Sequence, residues 1–218
     1  MTLQEDMRGS LRHVRLRRFR RAEHIMAMPA VKRRWTAREV RALIDQNPLA
    51  TPRYELVDGE LLVTPSPNTP HQRAVLALAA AVRDYLKRYP VGEVLVSPFD
   101  VELEPGLLVQ PDVFVVPMPE ARRLDTEVLA RELLVAAEVL SPSSGRHDRV
   151  TKRPHYQRHI PESWIIDLDA RLVERWLPND TRPEILVEVL VWHPSGADEP
   201  FRLELPGYFA ECVGETLR

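Results

Sequence analysis

Two carboxylates in this chain lie where carboxylates are costly. Asp112 stands at the head of the apolar run "VFVV", and Glu138 sits inside "LLVAAEVL", residues 133–140. By period-two alternation Glu138 shares a strand face with Leu134, Ala136 and Leu140. An ionised carboxylate there must be paired, protonated or bound to a metal. Each acid also has a plainer reading: Asp112 as a turn or cap residue at a strand entrance, and Glu138 as an edge-of-core carboxylate paired with one Arg. Together, two acids near the ends of neighbouring strands suit a hard divalent cation, because Mg²⁺ accepts one or two carboxylates and keeps waters and phosphate oxygens as its other ligands. Such an ion lowers the pKa of a bound water and stabilises the charge that develops on a phosphodiester during hydrolysis. Lys152, at the end of "DRVTK", can orient the attacking water or neutralise the phosphorane; ordinary solvation is its alternative.

These residues need elements to hold them. "WTAREVRALIDQ" has Thr36 and Glu39 at capping-box spacing and Val40, Leu43 and Ile44 on one helical face, which predicts a helix over about 36–46. "YELVDGELLVT" predicts a hairpin turning at Asp58-Gly59, the dipeptide that a two-residue type I′ turn prefers. "HQRAVLALAAAVRDYLKRY" has helical periodicity and reads as a long helix packed on a sheet. Strands are expected at "EVLVSPFDVEL", "LVQPDVFVVP", "LLVAAEVLS", "SWIIDL", "RLVERWL" and "EILVEVLVW", with a helix between Asp148 and His159. Pro154 fits the first turn of that helix, so it begins close to Lys152. Residues 117–132 and 194–200 read as loop. The order is a mixed α/β (α+β) pattern, a central mixed β-sheet flanked by helices, without a βαβ repeat or a Gly-rich phosphate loop.

Composition bounds the rest. The 218 residues are 44% hydrophobic, enough for one sizeable core, and no run reaches the roughly 18 apolar residues of a membrane span. The single Cys212 excludes a disulfide framework and a Cys-rich zinc site, and it suits a reducing cytoplasm. "SPSSGRHD" lacks the G-x-S-x-G elbow of a serine hydrolase. Trp164, Trp176 and Trp192 lie in strand-like runs and read as core or interface. A net charge of −2 conceals an asymmetry: residues 1–34 hold ten of the 30 bases and three of the 32 acids, so the remaining twenty bases face 29 acids. The tail can hold phosphates, target the chain or be a disordered extension, and translation can start at Met1, Met26 or Met28. Arg146, Arg149, Arg153 and Arg158 are a local basic cluster able to attract DNA to an otherwise acidic body.

Several blocks resemble, in order, those of one known family. "YELVDGELLVTPSPNTPHQRAV", "VQPDVFVVP", "AAEVLSPSSGRHDRVTKRPHYQRHIPESWIIDLDARLVERW" and "FRLELPGYFAE" look like successive blocks of the Uma-two family of bacterial nucleases, within the PD-(D/E)XK restriction-endonuclease-like superfamily. The resemblance implies a single restriction-endonuclease-like domain over 35–218, after the basic extension 1–34. It also implies Mg²⁺ or Mn²⁺ as cofactor, DNA as partner, and a homodimer where both strands are cut. Asp112 matches the PD aspartate and Glu138 the acid of the next strand. The lysine usually two residues after that acid is here Leu140, and Lys152 matches the migrated lysine that substitutes for it. Glu55, His71, Gln110 and Asp148 fall in matched blocks. Glu55 is a further metal-side carboxylate or a polar strand position, and His71 contacts phosphate or metal-bound water or caps its helix. Asp148 can simply cap the helix after it. The expected function is a metal-dependent DNA endonuclease; the alternative is a catalytically silent binding or interaction module on the same fold, which Leu140 and the acidic body favour.

Overall fold

A computed structural model describes residues 33–47, 52–124, 130–141 and 145–215, all within the unit Arg33–Arg218. The reading of a basic extension falls, apart from Arg33 and Arg34, outside the described residues. Helix α1 (Ala37–Gln46) starts at the expected capping box: Glu39 N–H donates to Thr36 Oγ1 at 3.3 Å, and Thr36 N–H donates to Glu39 Oε2 at 2.9 Å. Strands β1 (Arg53–Val57) and β2 (Glu60–Thr64) pair Val57 with Glu60, leaving Asp58 and Gly59 at φ 52° and 76°. Positive φ at both central residues is what a type I′ turn requires. Asn68 caps α2 (Thr69–Arg88), accepting from His71 N–H at 3.0 Å, and the helix buries Ala74, Leu78, Val82 and Tyr85 at 3.6-residue spacing.

Next come β3 (Gly92–Val96), β4 (Val101–Glu104), β5 (Leu107–Val109), β6 (Val113–Pro117), α3 (Met118–Leu124) and β7 (Val135–Val139). A π-helical turn (His147–Lys152) leads into α4 (Arg153–His159), followed by β8 (Ser163–Asp167) and β9 (Leu172–Trp176). The described chain closes with β10 (Glu184–Leu186), β11 (Val189–Trp192), β12 (Phe201–Glu204) and α5 (Leu205–Val213). A six-stranded mixed sheet runs β10-β9-β8-β7-β6-β3, parallel only between β7 and β8. A four-stranded sheet runs β2-β1-β5-β4, and β11 pairs with β12.

Both faces of the central strands are covered, which is why β6 reads as an apolar run and β7 as one interrupted only by Glu138, rather than as alternating strands. Val113, Val115, Val135, Ala137 and Val139 join the core under α2 and α5, with Trp164, Trp192 and Phe201. Phe114, Val116 and Ala136 join a second core with Val57, Val109, Tyr156 and Ile160. Trp164 and Trp192 meet edge-on, 6.0 Å between centroids at 85°, a contact worth about 0.5–1.5 kcal/mol beyond area burial. All three strand tryptophans are buried, as expected.

The structure departs from expectation in five places. The runs 93–103 and 108–117 each split into strands of different sheets around Pro98 and Pro111, residues that cannot donate to a ladder. The run 184–192 likewise divides into β10 and β11. Within 117–132, read as loop, α3 forms and its buried Glu120 accepts from Arg131 N–H at 2.7 Å. Helix α5 was not expected from "LPGYFAECV"; its Pro206 is tolerated in the first turn and Gly214, at φ 78°, ends it. Among the described residues no helix is long and apolar enough to cross a membrane.

Candidate active site

The breaks between β5 and β6 and at the end of β7 meet beside β1, the start of α2 and the π-helical turn. Asp112 occupies the first break. Arg53 Nη1 donates to its Oδ1 at 2.7 Å, and Val139 N–H donates to Oδ2 at 2.9 Å. His71 Nε2 lies 3.1 Å from Oδ2. Burial alone would raise the Asp112 carboxyl, but the His71 hydrogen bond, the Arg53 charge and the Val139 amide outweigh it and hold it at about 2. An ionised carboxylate only accepts, so the facing His71 nitrogen carries the proton.

Glu138 lies on the neighbouring strand, and its Oε1 accepts from Tyr156 Oη at 2.6 Å and from Lys152 Nζ at 3.2 Å. Lys152 Nζ also stands 2.9 Å from Glu55 Oε2 and 3.1 Å from Asp148 Oδ1. Those last two are charge contacts without hydrogen-bond alignment, since neither oxygen has a hydrogen-bond partner among the described residues. Glu55 uses its other oxygen to accept Gln110 N–H at 2.8 Å. Glu55, Glu138, Asp148 and Lys152 are all buried. Desolvation pushes the Glu138 carboxyl well above its ordinary range; Lys152 opposes the shift, whereas Asp148, Asp112 and Glu55 add to it. For Lys152 burial acts in the lowering direction, but Glu138, Glu55 and Asp148 together hold the ammonium charged. The lysine's place comes from the π-helical turn, where Arg153 N–H donates to Asp148 O. That i→i+5 bond is of the kind that recurs at functional sites.

The electrostatic inventory is unequal: four buried acids (Glu55, Asp112, Glu138, Asp148) face two permanent cations, Arg53 and Lys152. Hard carboxylate oxygens with surplus negative charge fit Mg²⁺ or Mn²⁺. Among the described residues no three Asp, Glu, His or Cys side chains are already arranged as a metal cluster, and Lys152 is the centre that three of the carboxylates surround. Asp112, Arg53 and His71 line a cavity of about 90 Å³, while Glu55, Asp148 and Lys152 line one of about 70 Å³. Two roomier hollows, of about 260 and 590 Å³, contain none of the four acids.

Other expected residues are placed differently. Gln110 reaches the site through its backbone, its side chain donating to Asp100 Oδ1 at 2.7 Å. His71 is not the cap of α2, a role Asn68 fills, and Asp148 faces Lys152 instead of capping α4. Arg149 pairs with Asp167 at 2.8 Å and Glu174 at 2.7 Å, and Arg153 lies 4.4 Å over the Trp176 ring. Arg158 meets His155 Nδ1 at 2.6 Å, and Arg146 is exposed. Sequence reasoning missed Arg53 and Tyr156. Tyr156 follows Lys152 by four positions, helical-neighbour spacing that was readable, and Arg53 shares a strand face with Glu55.

A search of curated proteins gives no match. A solved structure described as a "putative nuclease belonging to DUF820 from Anabaena variabilis ATCC 29413" is similar with a TM-score of 0.65 at 20% identity, covering 74% of this chain and 92% of that one. The likeness shows the restriction-endonuclease-like fold. A family model, Uma2, described as "Putative restriction endonuclease", matches residues 40–204. That match spans most of the chain, including Glu55, His71, Asp112, Glu138 and Lys152, and the chain therefore belongs to the Uma2 family.

Proposed function

We propose that this protein is a divalent-metal-dependent nuclease that hydrolyses phosphodiester bonds in DNA. The observation that carries the reading is the convergence of Asp112, Glu138 and Lys152 from a strand break, a strand and a π-helical turn into one buried cluster. Asp112 and Glu138 would hold Mg²⁺ or Mn²⁺, which when bound supplies an activated water and Lewis-acid stabilisation of the phosphorane. The chain's own groups do the positioning. Arg53, His71 and the Val139 amide fix Asp112 in its ionised form, and Tyr156 fixes one oxygen of Glu138. Lys152, held between Glu55 and Asp148, presents an ammonium beside Glu138, placed to offset charge as the phosphorane forms. Arg146 and Arg158, both exposed, would meet the DNA backbone, and a homodimer would allow both strands to be cut. A cytoplasmic setting suits the lone cysteine.

The second reading, a silent binding module, draws on Lys152 itself: its ammonium already partly satisfies three of the acids. Nicking of supercoiled plasmid with Mg²⁺ or Mn²⁺, against EDTA, separates the two. The nuclease reading expects metal-dependent nicking that Asp112→Ala and Lys152→Ala both abolish; a folded wild type that cuts no DNA form favours the silent module.

A further inference from the structure

The far edge of the six-stranded sheet is apolar where edges are usually guarded. Strand β10 ends the order β10-β9-β8-β7-β6-β3 and, among the described residues, pairs only with β9. Ile185 is 52% exposed and Val187 50%, and Arg182, Glu184 and Glu188 around them are exposed too. A free edge bearing exposed apolar residues is a template for another strand. Glu184 is held by Arg175 at 3.1 Å, whereas the Arg182 and Glu188 side chains have no partner among the described residues. Pro183 has no N–H to offer and the chain bends at Val187 and Glu188, so the edge admits one short pair rather than an extended ladder.

The residues of this edge select the partner. "RPEILVE", residues 182–188, complements itself when two copies run antiparallel with Ile185 opposite Ile185. Pro183 then faces Val187, Glu184 faces Leu186 and Arg182 faces Glu188, each twice. By alternation Pro183, Ile185 and Val187 of both copies share one side, and the long Arg182 side chain spans the bend to Glu188. Neighbouring registers are worse. A slip of one residue sets Glu184 against Ile185 or Val187, and a slip of two sets it against Glu184 or Glu188, like charges that oppose pairing. The same centring aligns the sheet behind it: Glu138 stands in register with Ile165, Ile165 with Glu174 and Glu174 with Ile185, one row across β7, β8, β9 and β10. With three strand spacings in each copy and one between them, each about 4.8 Å, the two Glu138 residues would lie about 34 Å apart along the row before twist shortens it. Residues in one cross-strand row share a face, so both would open on the same side.

We propose that β10 is a homodimerisation edge: a second copy of this chain pairs with it antiparallel, with Ile185 on the two-fold axis and Arg182 of each copy against Glu188 of the other. The pairing stands on the edge and its charges alone. That it sets two cutting centres on one face, about one turn of duplex DNA apart, rests on the nuclease reading.

Sedimentation equilibrium of the full-length chain over a concentration series tests the edge. Wild type is expected to reach twice the mass of the chain. Ile185→Asp, which sets two carboxylates face to face on the axis, and Arg182→Glu are each expected to weaken the dimer about tenfold or more. Combining Arg182→Glu with Glu188→Arg reverses the pair in both copies and should restore the wild-type affinity, a rescue that a mere change of surface charge does not produce. Under mild oxidation Ile185→Cys should give a disulfide-linked dimer, whereas Val63→Cys, as exposed but on β2, should not. A wild type that stays monomeric, or a dimer that Ile185→Asp and Arg182→Glu leave unmoved, overturns the proposal. A monomer whose Ile185→Cys thiol is inert to maleimide overturns it in favour of an edge covered from within the chain. If Ile185→Asp does not fold, the charge reversal and its rescue decide. A dimer that cuts no plasmid removes the nuclease reading and keeps the edge; nicking by a monomer does the reverse. Where both hold, Ile185→Asp still nicks plasmid and no longer linearises it.

Discussion

Asp112 and Glu138 are equally buried, each 3% exposed, and they stand at neighbouring strands, yet their environments push them in opposite directions. Asp112 meets donors from β1, α2 and the end of β7, and its carboxyl falls to about 2 despite burial. Glu138 meets one phenol and one ammonium, and that ammonium is shared with two further acids; its carboxyl rises well above the usual range because desolvation dominates. Burial therefore does not decide the protonation of a carboxylate. The number of donors and cations available to each one does. Asp112 is a completed anion site, whereas Glu138 lacks positive charge, and a divalent cation would supply it.

The largest expected effect breaks the completed half. Asp112→Ala leaves the Arg53 guanidinium buried without its closest counter-ion and should cost about 3–5 kcal/mol in urea unfolding, besides abolishing nicking. A loss below about 1 kcal/mol would mean that Arg53 finds another partner. Acid should act on the same half more gently. Because the folded Asp112 value of about 2 lies below its ordinary 3.8, its contribution is present above about pH 4 and is lost as the pH falls towards 2. That loss amounts to about 2 kcal/mol, and urea midpoints across this window should show it in wild type and not in Asp112→Asn.

On the deficient half the sign reverses. A raised folded value means that stability falls as pH rises above Glu138's ordinary 4.5, so removing the charge should help the metal-free protein. Glu138→Gln is expected to raise Tm by roughly 2–4 °C while abolishing Mg²⁺ binding measured by calorimetry. A drop in Tm as large as that of Asp112→Ala would show that Glu138 is compensated after all. The smallest effect lies outside both halves: Arg146→Ala should leave stability within about 0.5 kcal/mol and lower the salt slope of DNA binding by about 1.

How far the site could be read from the chain follows the same division. Local chemistry was legible: the Thr36–Glu39 capping box, the Asp58-Gly59 turn and the long helix over 71–89 form largely where spacing places them. Asp112 and Glu138 stood out because charge in apolar surroundings needs compensation, and Lys152 through the resemblance of its block; the structure brings Lys152 to Glu138 across fourteen positions. Arg53 did not stand out, because its partner lies 59 residues away and only the meeting of two sheets joins them. The basic cluster looked open in sequence since its acids are distant: Arg149 is claimed by Asp167 and Glu174, on β8 and β9. Strand boundaries at 97–100 and 110–112 were hidden because the runs on either side are equally apolar, although Pro98 and Pro111 marked the places.

The π-helical turn that carries Lys152 also bears on how the chain can vary. A lysine two positions after the acid would be bound to the same strand, and a one-residue insertion between them would send it to the opposite face. Here the acid sits on β7 and the lysine on a helical turn anchored by Glu55 and Asp148. The two members of the pair thus have separate mounts, so the register of β7 does not fix where the lysine stands.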